Sequence, residues 1–158
     1  MLPNELVRAA SAPCLTFREE DIPDVQEKIR SQVWACDAYK KLLASARKRV
    51  ATGVQIPDRG GQWGHWYACQ ECGTRLVTES PTVHRCPSCN LVNSGEPWDS
   101  VPLTQIHNAL AESVRNLGVC YSLSGESQFA EKAAEILLRY SELYPQYPVR
   151  DHNLKTDT

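Results

Sequence analysis

Cys69-Gln70-Glu71-Cys72-Gly73 and, with thirteen residues between Cys72 and Cys86, Cys86-Pro87-Ser88-Cys89-Asn90 are two CxxC knuckles. Each such turn aims two sulfurs at one point, and a short hairpin between the turns brings the two points together. Gly73 and Asn90 follow the second cysteine of each pair, where a left-handed residue closes the turn. Arg75-Leu76-Val77-Thr78 supplies a strand between them. Four thiolates on Zn²⁺ close a tetrahedron and leave no position for water, so the spacing predicts a structural ion held by Cys69, Cys72, Cys86 and Cys89. Four reduced thiols, two disulfides, or iron in a rubredoxin-like site are the alternatives. His84, two residues before Cys86, reads as a partner or surface imidazole, not a ligand. The centre would carry a surplus of two negative charges, which Arg75, Arg85 and His84 are placed to offset. The other cysteines, Cys14, Cys36 and Cys120, lie on apolar segments and read as small buried hydrophobes.

Outward from the knuckles, residues 53–102 hold most of the glycines, three of the four tryptophans and no sustained helical period. They form an inserted, loop-rich, metal-stapled module between two helical parts, residues 1–52 and 103–158. Before it, an acidic run ending in Ile22-Pro23 starts a helix over about residues 21–30, because proline and carboxylates both suit a first helical turn. A second helix over about 32–50 carries Val33, Trp34, Ala38, Leu42, Ala46 and Val50 at three-to-four spacing. Its basic end, Arg47-Lys48-Arg49, complements the negative end of the helix dipole, and reads either as a solvated last turn or as a polyanion patch. After the module, Ile106, Leu110, Val114, Leu117 and Tyr121 line one face of a helix from Thr104. Ser124-Gly125-Glu126-Ser127 turns the chain, and Phe129, Ala133, Ile136, Leu137, Tyr140 and Tyr144 line the next helix until Pro145 and Pro148 stop it. These two helices make an antiparallel αα-hairpin whose apolar faces need each other and a further partner. Residues 1–17 read as an extended segment ending in an apolar anchor, Cys14, Leu15 and Phe17, and residues 150–158 as a polar tail.

The 158 residues suffice for one domain, or one domain plus a small stapled module. A formal charge of −2 gives no general pull toward nucleic acid or anionic lipid, and no stretch approaches the roughly 18 apolar residues of a membrane span. The start, Met1 to Arg8, lacks the features of a secretory signal, so this stretch encodes no export. Candidate ligand contacts are aromatic: Trp63, Trp66 and Tyr67 on one side of the knuckles and Trp98 on the other. Flat rings with polar edges suit stacking on sugars, and equally suit packing against the module. His107-Asn108 near the start of the third helix could face a cleft or serve as a cap or a satisfied core pair.

Taken together, these segments resemble the N-terminal region of the heparinase II/III-like polysaccharide lyases, which include the oligo-alginate lyases. Pro13-Cys14-Leu15-Thr16-Phe17-Arg18-Glu19-Glu20-Asp21-Ile22-Pro23 is similar to the family's opening, and Trp34 with Ala38-Tyr39 and Leu42-Leu43 to its first long helix. Trp66-Tyr67-Ala68-Cys69 with the knuckles resembles members that carry a zinc ribbon, followed by Gly95-Glu96-Pro97-Trp98-Asp99 and His107-Asn108. Residues 111–121, Gly125-Glu126, Phe129-Ala130-Glu131-Lys132-Ala133 and Tyr144-Pro145 resemble the first toroid hairpin. The likeness spans roughly residues 12–153.

The resemblance implies a mainly α fold: antiparallel helical hairpins forming the start of an (α/α) toroid, with an inserted zinc-ribbon-like β module. It implies an acidic polysaccharide or oligosaccharide as partner and β-elimination as the reaction. The family's catalytic Asn, His and Tyr belong to later helices, so no catalytic residue is carried over, and the exposed toroid faces would meet the rest of a longer lyase chain or a covering partner. Related lyases are often exported. Two other readings compete. One is a non-enzymatic zinc-stabilised module that binds glycan or protein. The other is a helical-repeat interaction protein, suggested by the spacing of Leu117-Gly118, Tyr121 and Ala130.

Overall fold

Arg18 opens the described chain, its backbone N–H donating to the Asp21 carboxylate at 2.8 Å, which seeds a 3-10 turn over Glu19–Asp21. The computed structural model describes residues 18–148, so the extended segment and the polar tail expected at the two ends lie outside the described residues. Helix α1 spans Ile22–Ser31, with Pro23 in its first turn where a missing N–H is harmless. Gln32 alone is extended, and α2 then runs Val33–Val50. Both helices fall within two residues of the expected limits. Helix α3 spans Val101–Ser124, beginning three residues before Thr104 because Pro102 is tolerated inside a first turn. Gly125, at φ 73°, adopts the left-handed conformation that ends α3, and its N–H donates to the Tyr121 carbonyl at 2.8 Å. Helix α4 then spans Ser127–Leu143, and a 3-10 turn, Tyr144–Gln146, carries Pro145. No helix among the described residues is long and apolar enough to cross a membrane.

The pairing of α3 and α4 is antiparallel: His107 near the start of α3 meets the Tyr140 hydroxyl near the end of α4 at 2.7 Å, while a tight turn joins their other ends. α2 lies against both. Arg49 Nε donates to Ser113 Oγ on α3 at 3.1 Å, and Arg47 approaches Glu126 at 3.9 Å. α1 reaches the far end of α3, where Gln26 Nε2 donates to the Leu123 carbonyl at 2.8 Å.

The helical core gathers Ala46, Leu110, Leu117, Cys120, Phe129, Ala133 and Ile136. Full burial of a side chain such as Phe129, Leu117 or Ile136 contributes about 1.5–3 kcal/mol. The centres of the expected stripes are buried, Leu110 and Leu117 on α3 and Phe129, Ala133 and Ile136 on α4, with Val114 and Tyr140 packed against them. Cys120 is buried as expected, whereas Ile106 and Tyr121 on α3, Leu137 on α4 and Tyr144 just beyond it are exposed. The hairpin partner and α2 together cover only part of each helix's circumference, so apolar residues at the stripe edges stay in water. Val33, Trp34 and Leu138 join them on the surface.

Between α2 and α3 lies a three-stranded antiparallel sheet: β1 (Val77–Ser80), β2 (Val83–Arg85) and β3 (Val92–Asn93), in that order. Thr78 pairs with His84, and His84 with Asn93. The strand expected at residues 75–78 thus starts at Val77, Arg75 instead making an isolated bridge to Ala68. The module has its own core, Tyr67, Cys69, Leu76, Cys86 and Val101, with Trp98 packed on it. Val101 belongs to α3, so the small core continues into the helical part. Gly61 seals the seam: a Cβ there would sit 2.1 Å from Thr104 Oγ1 and 2.3 Å from the Thr104 backbone nitrogen, so only glycine fits. Beside it Gln62 donates its N–H to the Ser100 carbonyl at 3.1 Å, and its own carbonyl accepts from Thr104 Oγ1 at 2.8 Å.

Candidate metal centre

The two knuckles repeat one hydrogen-bond pattern. In the first, the Cys69 N–H donates to the Thr74 carbonyl and the Gly73 N–H returns to the Cys69 carbonyl, both at 2.9 Å. In the second, the Cys86 N–H donates to Leu91 and the Asn90 N–H to Cys86, again at 2.9 Å. Closing so tight a turn needs a left-handed residue, and Gly73 (φ 70°) and Asn90 (φ 62°) supply it, as their position after each CxxC predicts. The strand pair β1–β2 between the knuckles then folds the second back over the first.

All four sulfurs lie within 4.8 Å of one another. Cys72 and Cys86 are 3.5 Å apart, Cys69 and Cys89 3.6 Å, and Cys72 and Cys89 3.8 Å. These are too long for disulfides, and all four are free thiols. An ion with metal–sulfur bonds of about 2.3 Å at the centre of a tetrahedron needs sulfurs about 3.8 Å apart, so the set fits a metal ion. Cys69 and Cys86, the first of each pair, are buried, whereas Cys72 and Cys89 are exposed. The Thr74 hydroxyl, 3.3 Å from Cys72 Sγ, and the Thr74 amide pull that thiol down to about 6. The Leu91 amide draws Cys89 the same way, but the neighbouring Cys86 and Cys69 thiols outweigh it and push Cys89 up to about 12. Four adjacent negative sulfurs need a cation to coexist, and metal binding drives the remaining protons off.

Around the sulfurs runs a polar chain. His84 is fully buried, with Nε2 2.9 Å from Asp99 Oδ1 and Nδ1 2.7 Å from the Tyr67 hydroxyl. The Asp99 carboxylate can only accept, so Nε2–H donates to it; in the neutral imidazole Nδ1 then accepts from Tyr67, and Tyr67 accepts from the Thr78 hydroxyl. Asp99 also accepts from the Gly95 N–H at 3.0 Å. Both imidazole nitrogens are therefore occupied, and His84 is a partner within the module and not a ligand. The chain ties β1, β2 and the 63–68 loop to the turn that leads into α3. Trp98 Nε1 adds a bond to the Ala68 carbonyl at 3.2 Å.

Of the basic groups expected to offset the centre, Arg85 is already engaged by a carboxylate. Arg85 pairs with Glu79, Nε–Oε1 2.6 Å, and holds that carboxyl below its ordinary range. Its Nη1 reaches the Asn90 carbonyl at 3.3 Å, so it braces the second knuckle while its charge meets Glu79. The sulfurs are met instead by backbone and hydroxyl donors of Thr74 and Leu91. Of the remaining cysteines, Cys120 is buried, and burial pushes its thiol up, as for an inert core residue; Cys36 is half-buried, and Cys14 lies outside the described residues.

The aromatic candidates separate into two groups. Trp63 and Trp66 are 71% and 40% exposed, and His65 stands between them, 5.8 Å and 4.9 Å from their ring centres. Tyr67 and Trp98 belong to the small core. His107 lies elsewhere, its Nε2–H on the Arg59 carbonyl at 2.9 Å and its ring lining a hollow of about 560 Å³ with Tyr140, Tyr144 and Tyr147. Asn108 beside it is exposed. Asp99, Thr78 and Thr74 were not singled out in the sequence, although Thr74 and Leu91 share a legible position two residues after the second cysteine of each knuckle.

No protein-family model matches the chain, and no curated protein or solved structure does.

Proposed function

We propose that the ion is Zn²⁺, that it is structural, and that the chain is the N-terminal toroid and zinc-ribbon portion of a lyase acting on uronic-acid polysaccharides, without catalytic activity of its own. The observation that carries the proposal is the closed four-sulfur set beside an exposed Trp63–His65–Trp66 row. A tetrahedron filled by thiolates cannot activate water, so the ion's task is to hold the loop that presents these rings. Indole faces suit the apolar faces of sugar rings. The motif order that resembles heparinase II/III-like lyases supplies the substrate class, and stacked antiparallel helices are compatible with the first hairpins of a toroid. Elimination requires a neutralised carboxylate, a base and an acid on one substrate unit, and the resemblance assigns these to later helices.

Val33, Trp34, Leu137 and Leu138 favour a second reading as well, a zinc-stabilised module that binds another protein, because their exposed side chains would suit an apolar partner.

The test combines metal analysis with binding. Purified chain should contain about one zinc per molecule and retain uronate polymer in affinity electrophoresis, while producing no unsaturated uronate by ultraviolet absorbance. Absence of retention would remove the glycan reading. A rise in absorbance would place the catalytic set inside this chain.

A further inference from the structure

Arg47-Lys48-Arg49 closes α2, and the three cations do different things. Arg47 approaches Glu126. Arg49 is fixed through Nε to Ser113 Oγ at 3.1 Å, and Ser113 in turn donates to the Ala109 carbonyl at 2.6 Å, so α3 orients the guanidinium. The Lys48 ammonium and the terminal amino groups of Arg49 have no hydrogen-bond or ion-pair partner among the described residues, although the Lys48 carbonyl accepts from the Thr52 hydroxyl at 2.7 Å. Both residues line a groove of about 350 Å³ between α2 and α3, together with Ser45, Glu112 and Asn116. The Ser45 hydroxyl and the Asn116 carboxamide are likewise without partners among the described residues.

We infer that this groove binds a uronic acid unit, its carboxylate on Lys48 and Arg49 and its hydroxyls on Ser45, Asn116 and Glu112. The inference rests on the proposed acidic-polysaccharide reading and gives it a location apart from the tryptophan row. Charge complementarity carries it. Two cations face about half a negative charge from the α2 dipole and one from Glu112, so a local positive surplus remains on a chain whose formal charge is −2. Arg49, pre-oriented by Ser113, offers a planar fork that matches a carboxylate, and Lys48 adds three donors. Glu112 selects among anions. A densely charged phosphate chain would meet repulsion from this carboxylate, whereas a sugar ring with one acid group and several hydroxyls can donate to it. The groove volume falls in the range of small-ligand sites.

Titration calorimetry at low salt on the zinc-loaded chain tests this with tetramannuronate, neutral cellotetraose and a short single-stranded oligonucleotide. Tetramannuronate should bind, cellotetraose should not, and the oligonucleotide should bind more weakly. Lys48→Gln and Arg49→Gln should each weaken tetramannuronate by about tenfold, the scale of one charge-assisted contact. Lys48→Gln should keep the wild-type melting point, because Lys48 is in no packed core and glutamine has similar helix propensity. Wild-type affinity in both variants would overturn the groove while leaving acidic-polysaccharide binding intact. No binding of tetramannuronate by the wild type would overturn both. Oligonucleotide binding as tight as tetramannuronate, with the same dependence on Lys48, would reduce the groove to a general polyanion patch and overturn its assignment to uronate.

Discussion

The helical part and the cysteine module are held together by different physics. Around Phe129, Leu117 and Ile136 the helices bury continuous apolar stripes from three elements, and the backbone satisfies itself within each helix. The module has five buried apolar residues, one borrowed from α3, and three short strands. Its order comes from four sulfurs, from repeated knuckle bonds and from the Thr78–Tyr67–His84–Asp99 chain. Burial is additive and tolerant of small losses, whereas the metal coordination proposed above is close to all-or-none, so the two regions should fail in different ways.

Metal removal should separate them most strongly. Structural zinc in small modules contributes about 10–16 kcal/mol of apparent binding energy, far above what this small apolar cluster supplies. Chelation, or Cys86→Ser, should unfold residues 63–98 and expose Trp98, packed on the small core, to quenchers, while far-ultraviolet circular dichroism keeps most of its helical signal. Identical melting with and without chelator would erase the distinction between the regions.

The reverse experiment is Phe129→Ala. Emptying a fully buried ring position should cost about 3–5 kcal/mol and lower the helical melting transition, while the protein at room temperature still carries its full metal complement. Loss of metal in the folded variant would show that the module depends on the helical core more than its own bonds indicate.

A smaller effect sharpens the boundary between them. Gly61→Ala would drive a methyl group against the Thr104 backbone, and forced overpacking of this kind costs about 1–3 kcal/mol. Hydrogen exchange should quicken at Gln62 and at the start of α3 and stay unchanged within the knuckles. Unchanged exchange at the seam would mean that the 61–62 contact does not couple module to helices.

Local signals were the legible ones. CxxC spacing with Gly73 and Asn90 specified the knuckles, because turn geometry depends on a few consecutive residues. Pro23, Gly125 and the apolar periods placed α1 to α4 to within a few residues for the same reason. The buried phase was less legible. Tyr121 is exposed although it continues the spacing of Leu110, Val114 and Leu117, since a stripe at three-to-four spacing leaves its edge residues undecided until the partner helix is in place. Tyr67 illustrates the limit at the site. It follows Trp66 and shares its aromatic character, yet its backbone at φ −85°, ψ 59° makes a tight γ-turn and its side chain is buried against His84, while Trp66 stays exposed.

The amino-acid order alone therefore determined four helices, two knuckles and the convergence of Cys69, Cys72, Cys86 and Cys89, each set by contacts over a turn or a short hairpin. Tertiary structure decided the partners of His84, the fit of Gly61 against Thr104 and the groove that joins Lys48 and Arg49 to Asn116. Those depend on elements tens of residues apart meeting at angstrom distances, and the energy that selects one such meeting is spread over whole packed faces rather than written in any local pattern.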